Sequence, residues 1–277
     1  MKPTLKSRFF YLKMEKIKVV LSYQQVIFRE GIHFILSGEE DFEVAGETTG
    51  NKEALELIES SQANVVILSQ ADEKSDSAEI TRRIKQSYPS VSVILITQKD
   101  ESERIFPDIV AGISASLTAD TEPERMVAVI REVAQGQLPI IEALLAPALA
   151  ARALAVFQDL ATLNERLGIS MAQLTKKESE VLSGIASGID QGQVAAGLKV
   201  PEAAVRDHLR AVLQKLVAND RTRELIEKTQ MSLPSLLHLM PGGGGRPAEY
   251  LTRAEFNEFK DSLMNAIKSA FTEKPRS

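Results

Sequence analysis

Two runs of this chain, Val65-Val66-Ile67-Leu68 and Val93-Ile94-Leu95-Ile96, contain no polar residue, and nothing else in the sequence restricts the fold as much. A strand with one wet face alternates polar and apolar residues, whereas a strand apolar throughout must be covered on both faces, as parallel strands in a βα succession are. The sequence from Met14 to about Leu138 supplies that succession. Strands are expected near Ile17–Leu21, Glu43–Glu47, Asn64–Ser69, Ser92–Thr97 and Ile113–Leu117. Helices are expected near Gln24–Ser37, Lys52–Ser60, Ser77–Ser87, Glu101–Val110 and Glu122–Gln135. This (βα)5 pattern predicts an α/β domain with an open parallel sheet of flavodoxin-like order, whose site lies at the C-terminal ends of the strands.

A second region, Leu174 to Arg223, reads as short helices around a helix-turn-helix. Thr175 with Glu178 three residues on forms a capping box, and Val181, Leu182, Ile185 and Ala186 recur at helical spacing up to Gly188. A second helix, roughly Gln191 to Gly197, turns Val194, Ala195 and Leu198 inward. After Lys199-Val200-Pro201, a third from Glu202 to Val217 buries Val205, Leu209, Val212, Leu213 and Leu216. Arg206 and Arg210 then lie one turn apart on its other face, where two guanidinium groups suit phosphate contact and bidentate reading of guanine edges.

In these residues the stretch resembles the LuxR-type helix-turn-helix of NarL/FixJ response regulators: Leu174-Thr175, Glu178, Val181-Leu182, Ala186, Gly188, Val194-Ala195, Leu198, Val200, Val205-Arg206, His208-Leu209, Leu213 and Lys215-Leu216. The resemblance implies a four-helix all-α domain that binds double-stranded DNA. Arg206 and Arg210 match the basic positions of the recognition helix and His208 its usual histidine, with Asp207, Lys199 and Lys215 completing the candidate DNA-binding set. Pro201, Ala203 and Ala204 depart from the hydroxyl residues the family favours for holding phosphates. From Leu174 to Lys228, nine Lys and Arg face eight Asp and Glu, net +1, a faint footprint for a DNA binder.

The (βα)5 region is similar to a receiver domain, which implies an aspartate phosphoacceptor, acidic Mg²⁺ ligands, a hydroxyl and a lysine. Aligned on Phe28-Arg29-Glu30-Gly31, the acidic pair is replaced by Tyr23 and Gln24, and the phosphoacceptor position is Ser69. Aligned on Ala111-Gly112 and Glu122-Pro123-Glu124, the lysine position is Ala119 and the switch aromatic Ser116; Thr97 keeps the hydroxyl. A degenerate pocket without aspartyl phosphorylation is therefore expected. Asp72, Asp76 and Asp100 are the acids open to a relocated role, and Ser69 with Thr97 reads either as strand-end caps or as a small-ligand pocket.

Between these regions Ala146, Leu149, Ala153, Val156, Leu160, Leu163 and Leu167 recur at steps of three and four, the spacing of a two-stranded coiled-coil seam and also of a helix packed on its own domain. Beyond them Pro241 to Pro247, with four glycines, reads as a hinge, and Phe256, Phe259, Leu263, Ile267 and Phe271 as an apolar helix stripe that docks on its own chain, a second copy or a protein partner. The chain is thus parsed as 1–13 extension, 14–138 pseudo-receiver, 139–173 linker and dimerisation helix, 174–228 DNA-binding domain, 229–249 flexible linker and 250–277 amphipathic helix. Residues 1–13, with Arg8-Phe9-Phe10-Tyr11, read as an unstructured extension or a DNA- or lipid-touching arm, and Met14 offers an alternative start.

Composition narrows the function. The absence of cysteine excludes disulfides and thiolate chemistry, and the three histidines, His33, His208 and His238, have no partner at metal-ligand or triad spacing. No enzyme activity, metal or cofactor is expected. A net charge of −5 confines nucleic-acid attraction to local patches, and no apolar run approaches the roughly 20 residues of a membrane span. The expectation is a cytoplasmic, homodimeric transcriptional regulator of the response-regulator type. The alternative is a protein–protein adaptor in which the receiver and C-terminal helix bind partners and DNA binding is lost.

Overall fold

The structure, a computed structural model, describes residues 16–50, 53–70, 77–97, 104–167 and 171–237, with residues 162–167 and 226–237 described by backbone only. The extension 1–13, Asp72, Asp76, Asp100, the glycine hinge and the segment 250–277 lie outside the described residues.

Five strands, β1 (Ile17–Ser22), β2 (Phe42–Thr48), β3 (Val65–Ser69), β4 (Ser92–Thr97) and β5 (Ala115–Thr118), form one parallel sheet in the order β2-β1-β3-β4-β5. Five helices alternate with them: α1 (Val26–Ser37), α2 (Ala54–Ser61), α3 (Ser77–Ser87), α4 (Phe106–Ala111) and α5 (Pro123–Ala134). Every residue of β3 and β4 is buried, the burial that their unbroken apolar runs require. Helix α5 shows why local sequence suffices: Pro123 opens it where no N–H is needed, and Met126, Val127, Ile130 and Val133 return to one face at steps of three and four.

Alternate residues of each strand feed different layers. Val19, Leu21, Val65, Ile67, Ile94 and Ile96 pack with α1 and α5. Val20, Val66, Leu68, Val93 and Leu95 pack with α2, α3 and α4, and this second core runs on without a break into the helical region. The continuation starts at a 3-10 segment, Pro139–Leu145, which inserts Ile140, Ile141 and Leu144, and passes to α6 (Pro147–Leu167), α7 (Lys176–Ala186), α8 (Gln191–Leu198) and α9 (Glu202–Leu237).

Three expectations change here. Leu149, Ala153 and Leu160, read as seam positions, are buried in the chain's own core together with Ala150 and Phe157, and α6 packs along α7. These three follow the second of the two readings of the stripe, packing on the same chain, while Ala146 is exposed and Val156 half-buried. Residues 229–237, read as flexible linker, continue the helix, and the third helix, expected to end at Val217, runs on to Leu237 as α9. Residues to Glu224 belong to one compact unit, and a second unit begins at Leu225.

Candidate nucleic-acid interface and receiver pocket

The helix-turn-helix is built from its caps inward. Thr175 Oγ1 accepts from the Glu178 N–H at 3.3 Å while Glu178 Oε2 accepts from the Thr175 N–H at 2.7 Å, the capping box expected from the sequence. Asp190 caps α8 by accepting from the Gly192 and Gln193 N–H groups at 2.9 and 3.1 Å. Sequence reading passed over this cap, although an Asp just ahead of a helix start is its usual sign. Helix α8 ends with Lys199 in the left-handed region at φ 56°, and the Val200 N–H closes back on the Ala195 carbonyl at 3.0 Å. That wrap directs the chain into α9, and Gln191 Nε2 fastens it by donating to the Glu202 carbonyl at 3.1 Å. Gly184 lets α7 and α8 close together: a Cβ there would lie 2.9 Å from Val194 Cγ2.

The inward positions of α9 follow the sequence expectation, with Val205, Leu209, Val212, Leu213 and Leu216 all buried. Arg206 and Arg210 are exposed on the opposite side, and His208 is half-buried between them in sequence. Arg206 meets Glu142 of the 3-10 segment at 3.6 Å, and Arg210 donates to Asp207 Oδ1 at 3.3 Å. Exposed pairs of this kind contribute about 0.2–1 kcal/mol, so phosphates or base edges displace them at little cost. Asp207, expected among the readers, holds Arg210 in place here. Lys199 stands exposed at the turn.

Lys215, expected in the DNA-binding set, is engaged within the chain. Its Nζ lies 2.5 Å from Glu178 Oε2, a carboxylate buried at the start of α7, so the ammonium is committed to joining α9 to α7. Burial pushes the Glu178 carboxyl up, but hydrogen bonds from Lys215 and Thr175 outweigh it and hold the group below the usual glutamate range. Asn219 is a further structural residue that sequence reading passed over: buried, it accepts from the Ala172 N–H at 2.8 Å and donates to the Ala172 carbonyl at 2.9 Å.

The receiver positions lie at or just beyond the C-terminal ends of the strands. Tyr23 is buried after β1 against Phe28, ring centroids 5.6 Å apart, and its carbonyl accepts from Arg29 at 3.0 Å; burial raises its phenol. Gln24 is exposed. Ser69 ends β3 and Thr97 ends β4, both buried, with Thr97 Oγ1 donating to the Leu117 carbonyl at 3.4 Å. Ala119, half-buried after β5, donates its N–H to the Thr97 carbonyl at 3.0 Å. Among the described residues no three His, Asp or Glu side chains gather where a metal ion would need them.

The receiver half and α9 are also tied directly. Arg82 of α3 grips Asp220 of α9 through Nε at 2.6 Å and Nη2 at 3.3 Å, with the two side chains 26% and 14% exposed. Gln86 donates to Glu224 at 2.7 Å. Behind Arg82 lies Asp108 of α4, buried, with no partner for Oδ1 among the described residues. Burial raises its carboxyl above the aspartate range, while a Ser77 hydrogen bond and the Arg82 charge pull it partly back. Gly112, at φ 104°, ends α4 in a conformation side chains resist, and a Cβ there would sit 3.4 Å from Val217.

Comparison with known proteins agrees with this architecture. Residues 24–131 match the response regulator receiver domain and residues 172–226 match the bacterial regulatory proteins of the luxR family. The chain carries a receiver domain followed by a LuxR-type helix-turn-helix, the layout of NarL/FixJ-like response regulators. It is 27% identical over 217 residues to the uncharacterized transcriptional regulatory protein YhcZ of Bacillus subtilis (strain 168), covering 78% of this chain and 97% of that one. It is 26% identical over 223 residues to the transcriptional regulatory protein DegU of Brevibacillus brevis, covering 76% and 92%. Among solved structures, the signal receiver domain of the putative response regulator NarL from Mycobacterium tuberculosis is 28% identical over 44% of this chain and 99% of that one, with a TM-score of 0.41.

Proposed function

We propose that this chain is a DNA-binding transcriptional regulator of the response-regulator type that works without aspartyl phosphorylation. The observation that carries the DNA reading is the pair Arg206 and Arg210, exposed one turn apart on α9 immediately after the turn from α8 and, among the described residues, held by surface ion pairs. Such a pair reaches phosphates or guanine edges from the helix that follows a helix-turn-helix turn. Loss of phosphorylation follows from chemistry: Ser69 forms no acyl phosphate, and hydroxyls from Ser22, Ser69 and Thr97 bring none of the negative charge that a hard dication needs. The Mg²⁺ site of a working receiver does not fit these residues.

The regulator acts as a homodimer on this reading. A module of net charge +1 gives one copy little hold on DNA, and two linked copies convert the second contact into an intramolecular one. Leu149, Ala153 and Leu160 are spent on the chain's own core, so on this reading the contact between copies uses other residues.

A salt-titrated binding assay on genomic fragments tests the reading, with and without acetyl phosphate. Arg206→Ala and Arg210→Ala are each expected to weaken specific binding by about 1–3 kcal/mol if the contact is bidentate to a base, and acetyl phosphate to change nothing. Wild-type binding no better than to random duplex, unchanged in both variants, favours the adaptor alternative. A base-labile phosphoprotein after acetyl phosphate treatment overturns the phosphorylation-independent reading.

A further inference from the structure

Two cations share a cleft in which no acid answers them. The cleft, about 340 Å³, lies between the receiver half and α9; Lys85, Ile113 and Leu138 line it from one side and Leu213, Val217 and Arg221 from the other. None of its lining residues is acidic. The carboxylates next along α9 are engaged elsewhere, Asp220 by Arg82 and Glu224 by Gln86. Lys85 Nζ donates to the Val91 carbonyl at 2.7 Å, and Arg221 Nη2 donates to the Lys85 carbonyl at 3.4 Å; neither side chain is ion-paired among the described residues.

The electrostatics are one-sided. Burial, and then the Arg221 charge, depress the Lys85 ammonium to about 8, so at neutral pH it stays charged at a cost that a counter-anion relieves. Size and lining supply the rest of the description. A volume near 340 Å³ is at the lower end of small-molecule sites, which span about 300–1,000 Å³. Walls of Ile113, Leu138, Leu213 and Val217 give a fully hydrated inorganic ion nothing to replace its water, but they reward an apolar body.

We infer that this cleft binds a small organic anion with a compact apolar body, such as an aromatic carboxylate, whose charge meets Lys85 and Arg221 while its body fills the apolar walls between the receiver half and α9. The assignment goes beyond the function proposed above, which names no input. Because half of the lining belongs to each side, the occupant's affinity depends on how α9 is docked, and its binding biases that docking in return.

Calorimetric titration of the full chain, without DNA, tests the site with naphthalene-1-carboxylate, the corresponding neutral amide and inorganic phosphate. The carboxylate is expected to bind once per chain and about tenfold or more tighter than either control. Lys85→Gln, which keeps a donor for the Val91 carbonyl, and Arg221→Gln are each expected to weaken it by roughly fivefold or more. Circular dichroism establishes that the variants fold; if Lys85→Gln does not, the exposed Arg221 decides alone. Absence of saturable carboxylate binding, equal binding of carboxylate and amide, equal binding of phosphate, or unaltered affinity in the folded variants each overturns the assignment. The DNA-binding reading stands or falls separately, since no DNA enters this measurement.

Discussion

Removing Arg82 is expected to cost more stability than removing its partner Asp220, and the difference follows from what each leaves behind. The pair is bidentate and mostly shielded, 26% and 14% exposed, which puts it between a surface ion pair at about 0.2–1 kcal/mol and a broken buried pair at about 3–5 kcal/mol. Asp220→Ala leaves Arg82 facing Asp108 and Glu224, whose charges still favour it, so a loss of about 1–2 kcal/mol is expected. Arg82→Ala leaves Asp220 without its partner and Asp108 without the charge that restrains its already raised carboxyl, so about 2–4 kcal/mol is expected. A double-mutant cycle by urea unfolding measures both costs and a coupling of about 1 kcal/mol or more. Asp108 adds a pH signature. Its folded value lies above the ordinary 3.8, so the folded chain holds the extra proton and stability falls as pH rises through the window between the two. That downward slope should extend to higher pH in Arg82→Ala. Equal costs for the two single variants, or no coupling, would refute the arrangement of Arg82 between two carboxylates.

Gly184→Ala should destabilise by about 1–3 kcal/mol in thermal unfolding, because its Cβ would press on Val194 Cγ2 at 2.9 Å within a packed layer. Glu178→Gln should cost about 1–2 kcal/mol by weakening the bond to Lys215. Since Glu178 titrates below its ordinary 4.5 in the folded chain, the wild-type contribution is complete above that value and disappears as pH falls through the folded value; the variant should lack this acid-side loss. Leu149→Ala should cost about 2–5 kcal/mol in urea unfolding while leaving the sedimentation mass of the folded protein unchanged, the opposite of the result expected from a coiled-coil seam.

The parts legible in the sequence are those decided by short-range periodicity. Val65 to Leu68 and Val93 to Ile96 are apolar on both faces, and β3 and β4 lie in the middle of the sheet. Thr175 and Glu178 form the box their spacing announces. What stays open in the sequence are the places where identical local patterns have two tertiary solutions. A stripe at steps of three and four, such as Leu149, Ala153 and Leu160, says that a helix face is buried but not whether the cover comes from the same chain. A lysine on a DNA-binding helix has the same sequence signature whether it faces phosphate or, as Lys215 does, a carboxylate 37 residues away. The third helix is expected to end at Val217 although Val217-Ala218-Asn219-Asp220 contains no glycine or proline to mark an end, and α9 runs on through that point, where Asn219 and Asp220 make tertiary contacts.

On the proposed function, that unbroken helix determines how a signal would reach Arg206 and Arg210. From Arg206 to Arg221 is about 22 Å along α9 at 1.5 Å per residue, and the two ends are held unequally. Around Arg206 and Arg210 the polar ties are surface pairs worth well under a kilocalorie to about one each. Around Asp220 and Glu224 they are a shielded bidentate pair and an amide bond to α3, above a cleft with two uncompensated cations. On the DNA-binding function proposed above, the Arg206 end exchanges its partners for DNA cheaply, while the position of the helix is set at the far end by the receiver half. A ligand with no preference between docked and undocked α9 shifts nothing, however tightly it binds. An occupant of a cleft half lined by α9 favours the docked state, and a roughly thirtyfold preference for that state adds about 2 kcal/mol to the docking without touching Arg206 or Arg210.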